Sequence, residues 1–441
     1  MFINAAAEEI RQGRLSPVAL LERCLGQIDR YEERVRAWVL VDRAGAMEQA
    51  RQAEAEVKAG HWRGPLHGIP LGIKDIIDVF DFPTAAGSRL WKDSIARQDA
   101  TVVRRLRSAG AVLVGKTVTT QYASFDPPPT RNPWKTSRTP GGSSSGSAAA
   151  VACGMCLGAL ATQTGGSITR PASYCGVASI KPTFGRVSTN GVLPLAPSMD
   201  HIGAITGCVR DLSFIMQAIA GADPQDSECS NLPVSDLSIH GKLKPPRLGR
   251  VRGLFDRLAD TTMSAMVDRA TATLAARGAT IQEVALPGTF EEVLPRHRTV
   301  MAVEAAKYHE TRLRRHPEDY GPCISQLLKE GLACSAPDFA RTKEHQKLLS
   351  NEMRSLAFPD ALLLPATTCA APDAATTGDP AFNSPWSYTG LPVVSFVAGW
   401  TDDGMPLALQ LVGPPWSEAN LLATAAWCEE ALSIPHRDAA T

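Results

Sequence analysis

The stretch from Thr139 to Pro171 constrains this 441-residue chain more than any other. It opens Thr-Pro-Gly-Gly-Ser-Ser-Ser-Gly-Ser and later reads Thr164-Gly165-Gly166-Ser167-Ile168, and the residues from Ala148 to Ala161 between those clusters carry no charge. A flexible linker has no use for such an insert. Helix formers (Ala148, Ala149, Ala150, Met155, Leu157) and small residues that permit close packing predict a buried helix over this run, with a serine-bearing turn at each end. Glycine reaches backbone conformations barred to other residues, so consecutive N–H groups can converge on one point. Such a nest suits a phosphate or the oxyanion of an acyl transfer, and a serine beside it is a candidate nucleophile. A single Gly-Gly-Ser taken alone reads more readily as a plain loop.

The wider pattern is more specific. Gly141-Gly142-Ser143-Ser144-Ser145-Gly146-Ser147 is followed by Thr164-Gly165-Gly166-Ser167-Ile168, Pro171-Ala172, Cys175-Gly176-Val177, Lys181 to Ser188 and Pro194-Leu195-Ala196-Pro197-Ser198-Met199-Asp200. In that order these segments resemble the signature of the amidase signature family. Upstream, Gly68-Ile69-Pro70-Leu71-Gly72-Ile73-Lys74-Asp75 is similar to the same family's lysine motif. The likeness is dense from about Gly64 to Asp211 and thinner, though visible, toward the C-terminus.

The resemblance implies an α/β fold, a mixed β-sheet covered by helices on both sides. It also implies a single domain over 1–441, with a helical segment over about 1–60, a signature core over about 64–211 and a substrate-shaping part over about 247–441. By position, Ser167 is the implied nucleophile, Lys74 the base, and Ser143 the hydroxyl between them, preceded by a cis peptide from Gly142. The backbone N–H groups of Thr164, Gly165, Gly166 and Ser167 are the implied oxyanion hole. Two positions depart from the family pattern: Gln163 stands where an acidic residue is usual, and Thr169 where arginine is usual, with Arg170 one place later. Both belong to the shell around Ser167. They argue against assigning the substrate of the better-known branches, including the A-type amidotransferase chain that frees ammonia from glutamine.

The chemistry explains these residue types. Serine is a poor nucleophile at neutral pH until a base takes its proton. Lysine is a base only when neutral, which requires desolvation or nearby positive charge. Lys74 ends an apolar run (Ile69, Leu71, Ile73) that reads as a buried strand. Asp75 and Asp78 would oppose the shift if close, so both are expected to point away from the amine.

Composition excludes other classes. Lys+Arg and Asp+Glu each total 45, so the formal charge is zero and nothing favours nucleic acid or an anionic membrane. No apolar stretch is long enough to span a bilayer, and the first residues lack the basic start and apolar centre of a signal peptide. Ten scattered cysteines suit a reducing cytoplasm. Cys153 and Cys156 form an isolated CxxC, read as core packing because zinc would need a second ligand pair. His297, His309, His316 and His345 fall in a helical stretch among Arg, Glu and Lys and read as solvated faces. Neither metal nor organic cofactor is expected. The expected partner is a small-molecule amide, with a homo-oligomer and a small companion subunit both left open.

Ser16-Pro17 reads as a helix cap with proline at the first turn, followed by one apolar face (Leu21, Cys24, Leu25, Ile28). Strands are predicted at 37–41, 111–114, 358–365 and 406–413, and helices at 44–59, 101–108 and 419–432. A strand-helix-strand unit falls near Val251, Ala265–Ala276 and Ile281–Val284. Such alternation points to an α/β core. Phe125 to Thr130 reads as a stiff loop lining a pocket or lying on the surface, and Trp386 as either a pocket wall or a core residue.

Four rival readings are weaker. Gly142-Ser143-Ser144-Ser145-Gly146 fits the G-x-S-x-G elbow, but Arg138-Thr139-Pro140 before it is not a strand. A cysteine hydrolase would have to use Cys175, and a P-loop lacks the Lys-Ser/Thr after its glycines. A non-catalytic subunit of the same fold would have no need of Lys74, Ser143 and Ser167 together. The sequence therefore predicts an amidase that cleaves a non-peptide carboxamide through an acyl-enzyme on Ser167.

Overall fold

A computed structural model describes residues 1–435, 437 and 439. Eleven strands form one sheet: β1 (Trp38–Val41), β2 (Pro70–Lys74), β3 (Val112–Thr117), β4 (Gly158–Gln163), β5 (Ala178–Lys181), β6 (His201–Thr206), β7 (Arg247–Val251), β8 (Thr280–Val284), β9 (Ala361–Pro365), β10 (Val393–Trp400) and β11 (Pro406–Val412). Their spatial order is β1-β3-β2-β4-β6-β5-β10-β11-β9-β7-β8. β2 runs parallel to β3 and β4, and β7 parallel to β8 and β9, while the remaining pairs are antiparallel. The sheet is thus mixed, as expected.

Alternation along each strand divides the interior into two cores. Val112, Val114, Ala159, Ala161 and Ile205 belong to one, with helices Pro17–Val35, Arg43–Lys58, Ser145–Ala152 and Thr169–Cys175. Leu113, Leu160 and Ala204 belong to the other, with helices Thr101–Ser108, Val209–Ile219, Thr261–Ala276 and Val293–Arg315. The first long helix begins where the sequence places it, with Ser16 Oγ accepting from the Ala19 N–H at 3.2 Å and Pro17 in the first turn.

The uncharged run from Ala148 to Ala161 is not one helix. A helix covers only Ser145–Ala152, the chain turns through Gly154 at φ +65°, and β4 begins at Gly158. Small uncharged residues satisfy a buried helix and a central strand equally well, so composition does not separate them. Gly146 shows why the residues must be small. A Cβ there would lie 2.1 Å from the Ala37 carbonyl oxygen and 2.3 Å from the Val118 nitrogen, so this helix sits directly on neighbouring backbone.

Candidate active site

β2 carries Lys74 to its last position, where the side chain is fully buried. Its amine donates to Ser143 Oγ at 2.7 Å and to Thr162 Oγ1 at 2.7 Å. Thr162 comes from β4, which pairs directly with β2, so the sheet itself brings this acceptor to the lysine. Burial holds the Lys74 amine well below the ordinary lysine range, with the charge of Asp200 opposing. Asp75 is diverted to the buried Lys116, at 3.0 Å, and leaves Lys74 alone. Asp78 is half-buried, and its charge acts on Lys116.

Ser143 follows a cis peptide from Gly142. Its carbonyl accepts from the Thr120 N–H at 3.1 Å, and the next N–H, that of Ser144, donates to the Ser167 carbonyl at 3.2 Å. The two serine turns therefore touch. Arg170, fully buried, reaches the Gly142 carbonyl at 2.8 Å and Thr377 Oγ1 at 3.3 Å. Burial lowers its pKa to about 10, which leaves the guanidinium charged at neutral pH.

Thr164 to Ser167 lead from β4 into helix Thr169–Cys175. Thr164 Oγ1 donates to Asp200, and the same carboxylate accepts from the N–H groups of Leu195 and Ala196. Gln163 Oε1 accepts from the Ile168 and Thr169 N–H groups at 2.9 and 3.0 Å, while its Nε2 donates to Ser387 Oγ at 3.2 Å. Ser387 Oγ in turn donates to the Gly165 carbonyl at 3.1 Å. Gly166 has no room for a side chain, since a Cβ would lie 2.8 Å from Asn383 Oδ1.

Phe125 lies half-buried in the loop after β3, and its neighbour Asp126 accepts from the Cys323 and Ile324 N–H groups, capping helix Pro322–Ala333. Trp386 has no exposed surface. It stacks on Phe255 at 5.9 Å and packs against Phe290 at 5.7 Å, the environment of a core residue. Cys153, Cys156 and Cys175 are buried, with burial pushing the Cys153 thiol up to about 12 and the other two upward. A thiolate nucleophile at Cys175 is disfavoured accordingly.

The solvated-face reading of the histidines fails for two of the four. His309 is buried against Tyr122, at 4.6 Å between rings, and His297 is buried with its imidazole 2.9 Å from the Thr164 carbonyl oxygen. His345 is half-buried between Tyr388 and Thr289, and His316 is exposed. The helix bearing His297 has charged neighbours on its outer face, which mask the inward position. No signal local to His297 marks it; only the tertiary pairing of residues 164 and 297 does.

This is the fold of an amide-cleaving hydrolase. The chain matches the Amidase family over residues 19–422 and belongs to it. It is 34% identical to a putative amidase, AmiD, of Mycobacterium bovis across 99% of this chain and 94% of that one. It is equally 34% identical to the A chain of the glutamyl-tRNA(Gln) amidotransferase of Chloroflexus aggregans, across 95% of this chain and 94% of that one. The native peptide amidase of Stenotrophomonas maltophilia superposes with a TM-score of 0.86 at 28% identity, over 100% of this chain and 98% of that one. The protein is a hydrolase acting on carbon–nitrogen bonds. Among the described residues, no helix is long and apolar enough to cross a membrane.

Proposed function

We propose that the protein hydrolyses a small non-peptide carboxamide through an acyl-enzyme on Ser167. The observation that carries this reading is the buried amine of Lys74, 2.7 Å from Ser143 Oγ, with Ser143 one residue from the backbone contact to Ser167. Ser167 Oγ attacks the carbonyl carbon, its proton passing to Ser143 as the Ser143 proton passes to neutral Lys74. Negative charge builds on the carbonyl oxygen, where the N–H groups of Thr164, Gly165, Gly166 and Ser167 receive it. Collapse breaks the C–N bond, and the relay runs backward to protonate the leaving amine. Water then attacks the acyl-enzyme by the same relay, releasing the acid and restoring Ser167.

Phe125 is the proposed pocket residue. The likeness to an amidotransferase subunit supports a partner-bearing assembly, and ten cysteines that are all unpaired among the described residues support the reducing cytoplasm. Turnover of aliphatic, aromatic and urea-type amides, with glutamine included, tests the reading. At least one should yield acid and amine, and Ser167→Ala should lower its kcat by about 10⁴-fold or more. A Ser167→Ala protein that retains its rate refutes the proposal.

A further inference from the structure

Three consecutive peptide units in the loop before Ser167 have engaged carbonyls, two held by distant elements and the third by the helix that follows. The Thr164 carbonyl accepts from His297 Nε2 at 2.9 Å, the Gly165 carbonyl from Ser387 Oγ at 3.1 Å, and the Gly166 carbonyl from the Arg170 N–H at 2.9 Å. Because a carbonyl only accepts, His297 Nε2 carries the hydrogen. In a trans peptide the C=O and the following N–H point in opposite directions. Pinning these carbonyls outward therefore turns the N–H groups of Gly165, Gly166 and Ser167 inward, and among the described residues none of the three has an acceptor. Gly165 and Gly166 carry no side chain to resist rotation of these planes, so the orientation depends on the partners.

We infer that His297 and Ser387, both far from the signature in sequence, are positioning residues that aim the oxyanion-binding N–H groups, with Gln163 setting the direction of the Ser387 proton. The inference rests on Ser167 being the nucleophile. Ser387 has one proton to give. The Gln163 amide donates to its oxygen, which leaves that proton for the Gly165 carbonyl. A carboxylate at 163 could still accept from the Ile168 and Thr169 N–H groups, but it would compete for the Ser387 proton and release the Gly165 peptide. Glutamine at a position where the family usually has an acid thus fits serine at 387.

The test is steady-state kinetics together with the rate of covalent labelling by a serine-reactive phosphonate, on wild type and on His297→Leu, His297→Gln, Ser387→Ala and Gln163→Glu. Loss of one oxyanion donor lowers kcat by about 10²–10³-fold, so misaimed donors should cost about 10- to 100-fold with KM changed little. His297→Gln, which can still donate, should recover much of the loss in His297→Leu. Labelling should slow in parallel, because the phosphonyl oxygen uses the same N–H groups. Ser387→Ala and Gln163→Glu change few atoms, which covers the case of His297→Leu failing to fold. If wild type is not labelled at Ser167, the nucleophile reading fails. If wild type is labelled and the variants match it in kcat per labelled site, losing only the fraction of folded protein, the positioning inference alone is overturned.

Discussion

Removing the Lys116 charge tests how Lys74 is kept apart from its neighbouring carboxylate. Lys116 and Asp75 are both essentially buried, and their charged atoms lie 3.0 Å apart. Lys116 also donates to the Pro83 carbonyl and to Thr84 Oγ1, whereas besides the lysine Asp75 is helped by the backbone N–H groups of Ala85, at 3.4 Å, and Ala86, each counting for less than the lysine. Lys116→Met keeps most of the stem volume and strands the carboxylate, a loss of about 3–5 kcal/mol when one partner of a buried pair is removed. That is a large part of the 5–15 kcal/mol or so that holds a typical domain folded. Urea unfolding at pH 7 measures it. The pH dependence has a definite sign. Burial already raises the Asp75 pKa, and Lys116 is the main force holding it down. Without that lysine the folded-state pKa rises still further above the unfolded one, so the deficit is full at neutral pH and shrinks as acid protonates Asp75. Asp75→Leu with Lys116→Met should cost less than Lys116→Met alone. A deficit under about 1 kcal/mol, or one that grows on acidification, would refute the argument.

Two further outcomes follow from the packing. Gly166→Ala should lower kcat about 10- to 100-fold, because its Cβ would meet Asn383, which is itself held by the Ala366 carbonyl at 2.9 Å, and a displaced loop misplaces the reacting groups; steady-state kinetics reads this, and an unchanged kcat would contradict it. Trp386→Ala should cost about 3–5 kcal/mol in urea unfolding, since the ring fills an aromatic layer with Phe255 and Phe290 and has no solvent face; a loss below about 1 kcal/mol would place it outside the core.

Local pattern carries much of the architecture. The Ser16 cap, the helix over Thr101–Ser108 and the strand ending at Lys74 all depend on residues adjacent in sequence, and each is readable there. The family likeness supplies the mixed sheet, which no periodicity could. The run from Ala148 to Ala161 reads as one helix because its residues lack the polar alternation that separates a buried helix from a central strand. His297 escapes the sequence for a different reason. Its helix is amphipathic only weakly, with Arg296 and Arg298 on either side, and the partner that explains it is a backbone carbonyl at residue 164. Contacts to backbone leave no trace in side-chain chemistry, and the Ser387 contact to the Gly165 carbonyl is hidden in the same way; Gln163 stands out in the sequence only as a departure from the family pattern, and its pairing with Ser387, 224 residues away, does not.

In the proposed mechanism a neutral, buried Lys74 activates Ser167 through Ser143. The most direct test is the rate of phosphonate labelling as a function of pH, followed by intact mass with the modified residue identified, in wild type and Lys74→Met. Burial lowers the Lys74 pKa, so the wild-type rate should rise from acid along one ionisation lying below the ordinary lysine range, with the label on Ser167. Lys74→Met should label at least about 10³-fold more slowly and lose that ionisation. Equal rates and equal pH profiles in the two proteins, or a label on another residue, would contradict the account.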